Sequence, residues 1–304
     1  MITFLFGAGA SFGSGECTPN CPPQGKQLFD ELEKIKGSFH SIEDSVKDIF
    51  RRDGFEAGMA LIPNDSKIII PLLREMALYL SRFHSTTNNA YYLLFRDLKK
   101  KLKDITIATL NYDLLIERSL VLCGINPTWS DGVEGVKVLK VHGSCNFLPQ
   151  FPRGVTIGGS AYNFDVFIEG LQTHALITQE KIENWFNDGN NFSLAPAIAM
   201  YEAKKRVVIS RSIVDVIQRD YQSAIRKSNL VVVVGANYVP HDKHIWECME
   251  KSNCSVFIVD PYPSKEMKEW LEISKKNKYK VIRKGFYDSV YDIVDNVNGF
   301  RLRK

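Results

Sequence analysis

Along this chain, short runs dominated by apolar and β-branched residues are separated by longer stretches in which apolar residues recur every three or four positions. ITFLF at 2–6, ITIATL at 105–110, VKVLKV at 136–141, LVVVV at 230–234, SVFIVD at 255–260 and YKVIRK at 279–284 are such runs. A strand with one wet face alternates apolar and polar residues, whereas continuous apolar strands belong to parallel sheets covered by helices on both faces. The pattern predicts one α/β domain over residues 1–304, a doubly wound parallel sheet of Rossmann-like type.

Two stretches exceed what a crossover needs. Between the first two strands, about 20–104, Leu28, Leu32 and Ile35, then Ile42, Val46 and Ile49, recur at helical spacing. This predicts an inserted helical lobe that includes IIIPLLREMALYLSRF, where Pro71 either opens the helix or bends it. Tyr91, Tyr92 and Phe95 in NNAYYLLF suit an interface to another chain or packing against the sheet. The second insertion, 148–205, is rich in Gly, Asn and Ser and reads as loops with short helices. After it, Ile213, Ile217, Tyr221 and Ile225 stand four apart on an amphipathic helix that closes at Asn229.

Composition narrows the setting. A hydrophobic share of 44% and a charged share of 24% are those of an ordinary globular domain, and no apolar run is long enough for a bilayer. The N-terminus lacks a basic leader segment and runs into a glycine turn, so it reads as a strand and not a secretion signal. Six scattered cysteines without an export signal point to reduced thiols and a cytoplasmic location. Only Cys17 and Cys21 approach a metal-ligand pair, with no second pair, so no metal is expected. A net charge of +4 is dispersed along the chain and indicates no nucleic-acid partner.

Chemistry gathers at the strand ends. FGAGASFG after the first strand sets Gly7, Ala8, Gly9 and Ser11 where backbone can approach a pyrophosphate, or simply make a turn. ATLNYDLLIE carries Asn111, able to hold a hydroxyl, a carboxamide or a water, and Asp113; either could instead cap the next helix. In VHGS, Gly143 lets the chain turn away, leaving His142 exposed at the carboxyl edge of the sheet, where open α/β folds bind ligands. Gly235 and Asn237 in VVVVGANYVPHD, and Asp260 in VFIVDP, could approach or hydrogen-bond a ligand; Asp260 with Pro261 could also be a turn. Asp242, beside His241, could be a helix cap or a ligand.

In this order GAGAS, TLNYD, KVHGS, VVVVGAN and IVDP resemble the sirtuin superfamily, and more particularly the SIR2-like proteins of bacterial anti-phage defence. The resemblance implies NAD as the ligand and cleavage of its nicotinamide N-glycosidic bond as the chemistry. It makes Gly7, Ala8, Gly9 and Ser11 the pyrophosphate cradle. Thr109, Asn111 and Asp113 match the segment that holds nicotinamide and its ribose, with Asn111 catalytic, and His142 matches the catalytic base. Gly235, Asn237 and Asp260 would hold the adenosine side. Sirtuin deacylases carry a four-cysteine zinc module and a glutamine before the catalytic asparagine; this chain has no second cysteine pair and has Leu110 there.

Three functions follow from the resemblance. The first is an NAD hydrolase restrained by homo-oligomer assembly or by a co-encoded regulatory protein. The second is a protein deacylase or ADP-ribosyl transferase, and the third a non-catalytic module binding NAD or ADP-ribose. Intact Asn111 and His142 favour the first over the third.

Overall fold

The computed structural model describes residues 1–129, 132–152, 168–199 and 207–300. Its strands in chain order are β1 (Ile2–Phe6), β2 (Gly15–Thr18), β3 (His84–Asn89), β4 (Ile105–Thr109), β5 (Pro127–Thr128), β6 (Val136–Lys140), β7 (Phe147–Gln150), β8 (Gln172–Ala175), β9 (Leu230–Val234), β10 (Ser255–Val259) and β11 (Tyr279–Ile282). Seven of them form one sheet in the order β11-β10-β9-β1-β4-β6-β5, and every pairing within it is parallel. The six apolar runs are all strands of this sheet; β5, two residues long, has no run to betray it.

Alternation along the strands divides the core. Phe4, Phe6, Ile107, Val138, Val232 and Val234 face one layer, with α6 (Ala90–Leu98), α7 (Leu115–Leu122) and α12 (Phe286–Gly299). Leu5, Ala108, Leu139, Val231 and Val233 face the other, with α9 (Arg211–Lys227), α10 (Lys243–Lys251) and α11 (Lys265–Ser274). A strand buried on both faces gains at every side chain, about 1.5–3 kcal/mol for each large one. This is why LVVVV in central β9 is unbroken, whereas the edge strand β11 carries the exposed Lys280.

The expected lobe contains α2 (Gly25–Lys34), α3 (Asp44–Asp53), α4 (Phe55–Ala60) and α5 (Ser66–Leu80), around stacked Phe29 and Phe50 with ring centroids 4.5 Å apart. Helix α5 starts five residues before Pro71, capped by the Asp65 carboxylate accepting from the Lys67 N–H, so the proline lies inside the helix. Past it, the chain returns through β3, antiparallel to β2, into α6. Tyr91 and Phe95 are fully buried there against Phe6 and Phe286. Of the two roles open to these aromatics, packing on the sheet is therefore the one Tyr91 and Phe95 fill, whereas Tyr92 is half-buried. Of the second insertion, residues 153–167 and 200–205 lie outside the described residues. The rest includes the β7–β8 hairpin and α8 (Gln179–Asn187).

Candidate functional site

The sheet reverses winding at β1: the chain proceeds through β4 and β6 on one side, and through β9, β10 and β11 on the other. Adjacent connections there leave in opposite directions, which opens a crevice at the carboxyl ends of the strands. A cleft of about 650 Å³ occupies this place. Gly7, Ala8, Gly9, Asn111, His142, Gly235, Asn237 and Asp260 all line it. Thr109, Ser11 and Asp113 do not; the last two border a much smaller recess on the other side of Asn111.

Two glycine turns make the floor, and they need glycine because of each other. The Gly9 N–H donates to the Gly235 carbonyl at 2.9 Å, and the Gly7 N–H to Val234 O at 3.0 Å. A Cβ on Gly7 would lie 2.5 Å from Gly235 O, one on Gly9 2.9 Å from the same atom, and one on Gly235 2.1 Å from the Ala10 nitrogen. Gly235 also holds φ +60°. The N–H groups of Gly7 and Gly9 are thus already engaged, and these residues offer a ligand closeness of approach more than donors.

Asn111 is 5% exposed and fixed at three points. Its backbone N–H donates to Thr109 Oγ1 at 3.0 Å, and its Nδ2 donates to Gly7 O and to Ser11 Oγ, both at 2.9 Å. A carbonyl oxygen can only accept, so the atom facing Gly7 must be the amide nitrogen. With both amide hydrogens engaged, Oδ1 is what Asn111 can offer a ligand, an acceptor only. Ser11, with its hydroxyl 3.2 Å from Tyr91 Oη, acts through Asn111 and not at the cleft wall. Thr109, whose hydroxyl donates to Phe6 O, does the same from below. Asp113 accepts from the Leu115 N–H at 3.0 Å and so opens α7, while Asn111 caps nothing.

His142 differs from the exposed residue expected of it. The chain does turn at Gly143, φ +79°, but the Ala199 N–H donates back to His142 O and Ser144 N–H to Ala197 O, so residues 197–199 cover the turn. His142 is left 3% exposed, and its Nε2 lies 3.0 Å from His244 Nε2 in the first turn of α10. His244 carried no signal of its own in the sequence, because its partner is 102 residues away. Asp242 is buried at the N-cap position of α10, where its side chain makes no cap hydrogen bond, and it also lines the cleft. Glu56 of the lobe reaches the same cleft, 3.5 Å from His241; nothing in its sequence context pointed there.

At the far end, Asp260 is half-buried, and desolvation pushes its carboxyl above the usual range although the Tyr262 N–H donates to it at 2.7 Å. Asn237 Oδ1 accepts from the Ser264 N–H at 3.3 Å. Behind the glycine turn, Cys17 and Cys21 sit with sulfurs 3.1 Å apart. The Cys17 thiol hydrogen bond brings Cys21 down to about 7, whereas burial pushes Cys145 up to about 12. Thiolate is the reactive form. Iodoacetamide should therefore label Cys21 with a rate midpoint near pH 7 and leave Cys145 untouched until the chain unfolds, as read by peptide mass mapping. Uniform labelling of all six cysteines would contradict this.

No protein-family model and no curated protein matches this chain. Solved structures do. One described under the mechanism and regulation of Sir2 enzymes has a TM-score of 0.50 at 13% identity, covering 99% of this chain and 93% of the other. A Sir2 homolog–NAD complex has 0.48 at 14%, with 98% and 89% covered, and a Sir2 bound to acetylated peptide 0.46 at 15%, with 98% and 93%. The first of these shows a shared fold over the whole chain. No helix among the described residues is long and apolar enough to cross a membrane.

Proposed function

We propose that this protein is an NAD hydrolase that cleaves the bond between nicotinamide and ribose, giving nicotinamide and ADP-ribose. The observation that carries the reading is the meeting of Asn111 and His142 at a cleft of about 650 Å³ whose floor is two interlocked glycine turns. A pocket of this size, combining glycine backbone with polar side chains and placed at the switch point, suits a nucleotide. The motif order and the shared fold support the same assignment.

In this reading a water oxygen bonds to C1′ as the C1′–N bond breaks and its electron pair returns to the nicotinamide ring. The proton from that water goes to His142, and His244 shares the resulting charge through the hydrogen bond between the rings. Asn111 Oδ1, fixed as an acceptor, orients the water or a ribose hydroxyl. Burial of both groups excludes competing water and strengthens their electrostatics.

The deciding experiment incubates the protein with NAD, with and without an acetylated peptide, and follows nicotinamide, ADP-ribose and peptide mass. Nicotinamide release independent of peptide is expected. Release only with peptide, with loss of the acetyl group, would assign a deacylase; binding without cleavage would assign a module of the third kind. Asp260→Ala should raise KM for NAD by roughly 10- to 100-fold with kcat little changed, the value of a hydrogen bond to a charged group. An unchanged KM would release Asp260 from the adenosine side.

Such an activity would empty its own cell of NAD unless restrained. We read the protein as a regulated anti-phage effector, held off by self-assembly or by a co-encoded partner. Light scattering on the chain alone and with its neighbouring gene product tests this: a monomer with full hydrolysis in both cases would remove the restraint.

A further inference from the structure

Three potential metal ligands converge where the sequence offered His142 and Asp242 separately. His142 follows β6, whereas Asp242 and His244 open α10, and their ligand atoms all lie within 4.8 Å of one another. Two of these atoms, the Nε2 nitrogens of His142 and His244, are 3.0 Å apart. An ion with bonds of about 2.0–2.2 Å to nitrogen and oxygen sets neighbouring ligand atoms roughly 2.8–3.1 Å apart at octahedral angles and roughly 3.3–3.6 Å apart at tetrahedral ones. The imidazole pair already has the octahedral spacing, and a small inward movement of the Asp242 carboxylate completes one face of a coordination shell.

We propose that His142, Asp242 and His244 form a site for a divalent transition ion of the zinc, cobalt and nickel class, and that the bound ion withholds His142 from proton transfer. Two imidazoles and one carboxylate are the donor set such ions prefer over calcium or magnesium. The elements that carry them are held by hydrogen bonds. Covering of the Gly143 turn by residues 197–199 fixes His142, and the first turn of α10 fixes the other two. His142 and Asp242 line the cleft, so remaining coordination positions open toward it. Coordination uses the Nε2 lone pair of each ring, and the hydrogen shared between the rings moves to Nδ1 or to solvent. With Nε2 on the ion and the ring hydrogen on Nδ1, neither nitrogen of His142 has a lone pair with which to accept a proton.

The inhibitory half of this proposal rests on the NAD reading; the binding half does not. Cobalt(II) is titrated into the full chain carrying Cys17→Ser and Cys21→Ser, so that the adjacent thiols cannot take the ion, and followed by visible absorption and calorimetry. One saturable ion per chain is expected. Asp242→Asn and His244→Gln should each weaken it beyond the roughly 10- to 100-fold that loss of an outer-shell partner produces. Should either variant melt early, proton spectra of the parent serve instead: cobalt should shift two of the six histidine rings. Nicotinamide release should fall with cobalt occupancy and return with chelator. No saturable binding, or equal affinity in both folded variants, overturns the site. Cobalt bound with the rate unchanged overturns the inhibition. Cobalt bound by a protein that never cleaves NAD leaves the site standing and removes the proposed function.

Discussion

Replacing His142 by alanine is expected to lower the rate of nicotinamide release by about 100- to 10,000-fold, the usual contribution of a positioned general base, with KM for NAD nearly unchanged. The side chain lines the cleft, where water can enter the space it leaves, so the variant should melt close to the parent. Asn111→Ala should lose comparable activity but also stability. It deprives the buried Gly7 carbonyl and Ser11 hydroxyl of a donor, at about 1–3 kcal/mol. The two variants therefore differ in calorimetry while agreeing in kinetics. A well-folded His142→Ala chain that still turns over NAD at the parental rate would remove the histidine from the chemistry.

The largest expected effect on stability is at a different pair. Lys140, the last residue of β6, and Glu117 in α7 are both shut off from solvent, with Nζ 3.2 Å from Oε1, and Lys140 also donates to the Asp113 carbonyl at 2.5 Å. Lys140→Met strands the carboxylate and should destabilise the fold by about 3–5 kcal/mol. Glu117→Leu with Lys140→Met should recover most of the loss, since apolar pairs replace buried ion pairs well. The pH dependence has a definite sign. Burial already pushes the Glu117 carboxyl above its usual range, and loss of the ammonium pushes it further. Below the ordinary glutamate value of about 4.3 the group is neutral folded or unfolded, so Lys140→Met is then least handicapped. As pH rises, the unfolded chain ionises first and stability is lost. Denaturant melts between pH 4 and 8 that run parallel for parent and variant would disprove this.

Gly9→Val invites an interpretation through pyrophosphate, because an added side chain would crowd a phosphate. The actual obstruction is the Gly235 backbone, so this change should weaken the fold before it weakens binding. What the sequence conveyed well was whatever depends on neighbours along the chain. Six apolar runs became six strands, and Ile217, Tyr221 and Ile225 became the buried stripe of α9. What it could not convey depends on residues brought together from afar. The spacing of Tyr91 left open whether it faced another chain or the sheet, and nothing local showed that it would pack on Phe6 or that the hydroxyls of Ser11 and Thr109 would hydrogen-bond Asn111. His142 looked exposed because Gly143 turned the chain, and the strip at 197–199 that covers it lies in the least patterned part of the sequence. His244 was hidden altogether, since a pairing across 102 residues leaves no local trace.

The interlocking of Gly7 and Gly9 with Gly235 separates two kinds of intolerance that comparison of sequences would confound. In a saturation library sorted only for soluble, folded protein, positions 7, 9 and 235 should be depleted of every larger residue, because each Cβ meets backbone and not ligand. His142 should survive that sort and disappear only when the library is sorted for catalysis. The difference between the two maps would outline the reactive surface without any bound molecule being seen, and positions depleted in both would mark where the scaffold and its cleft are made of the same atoms.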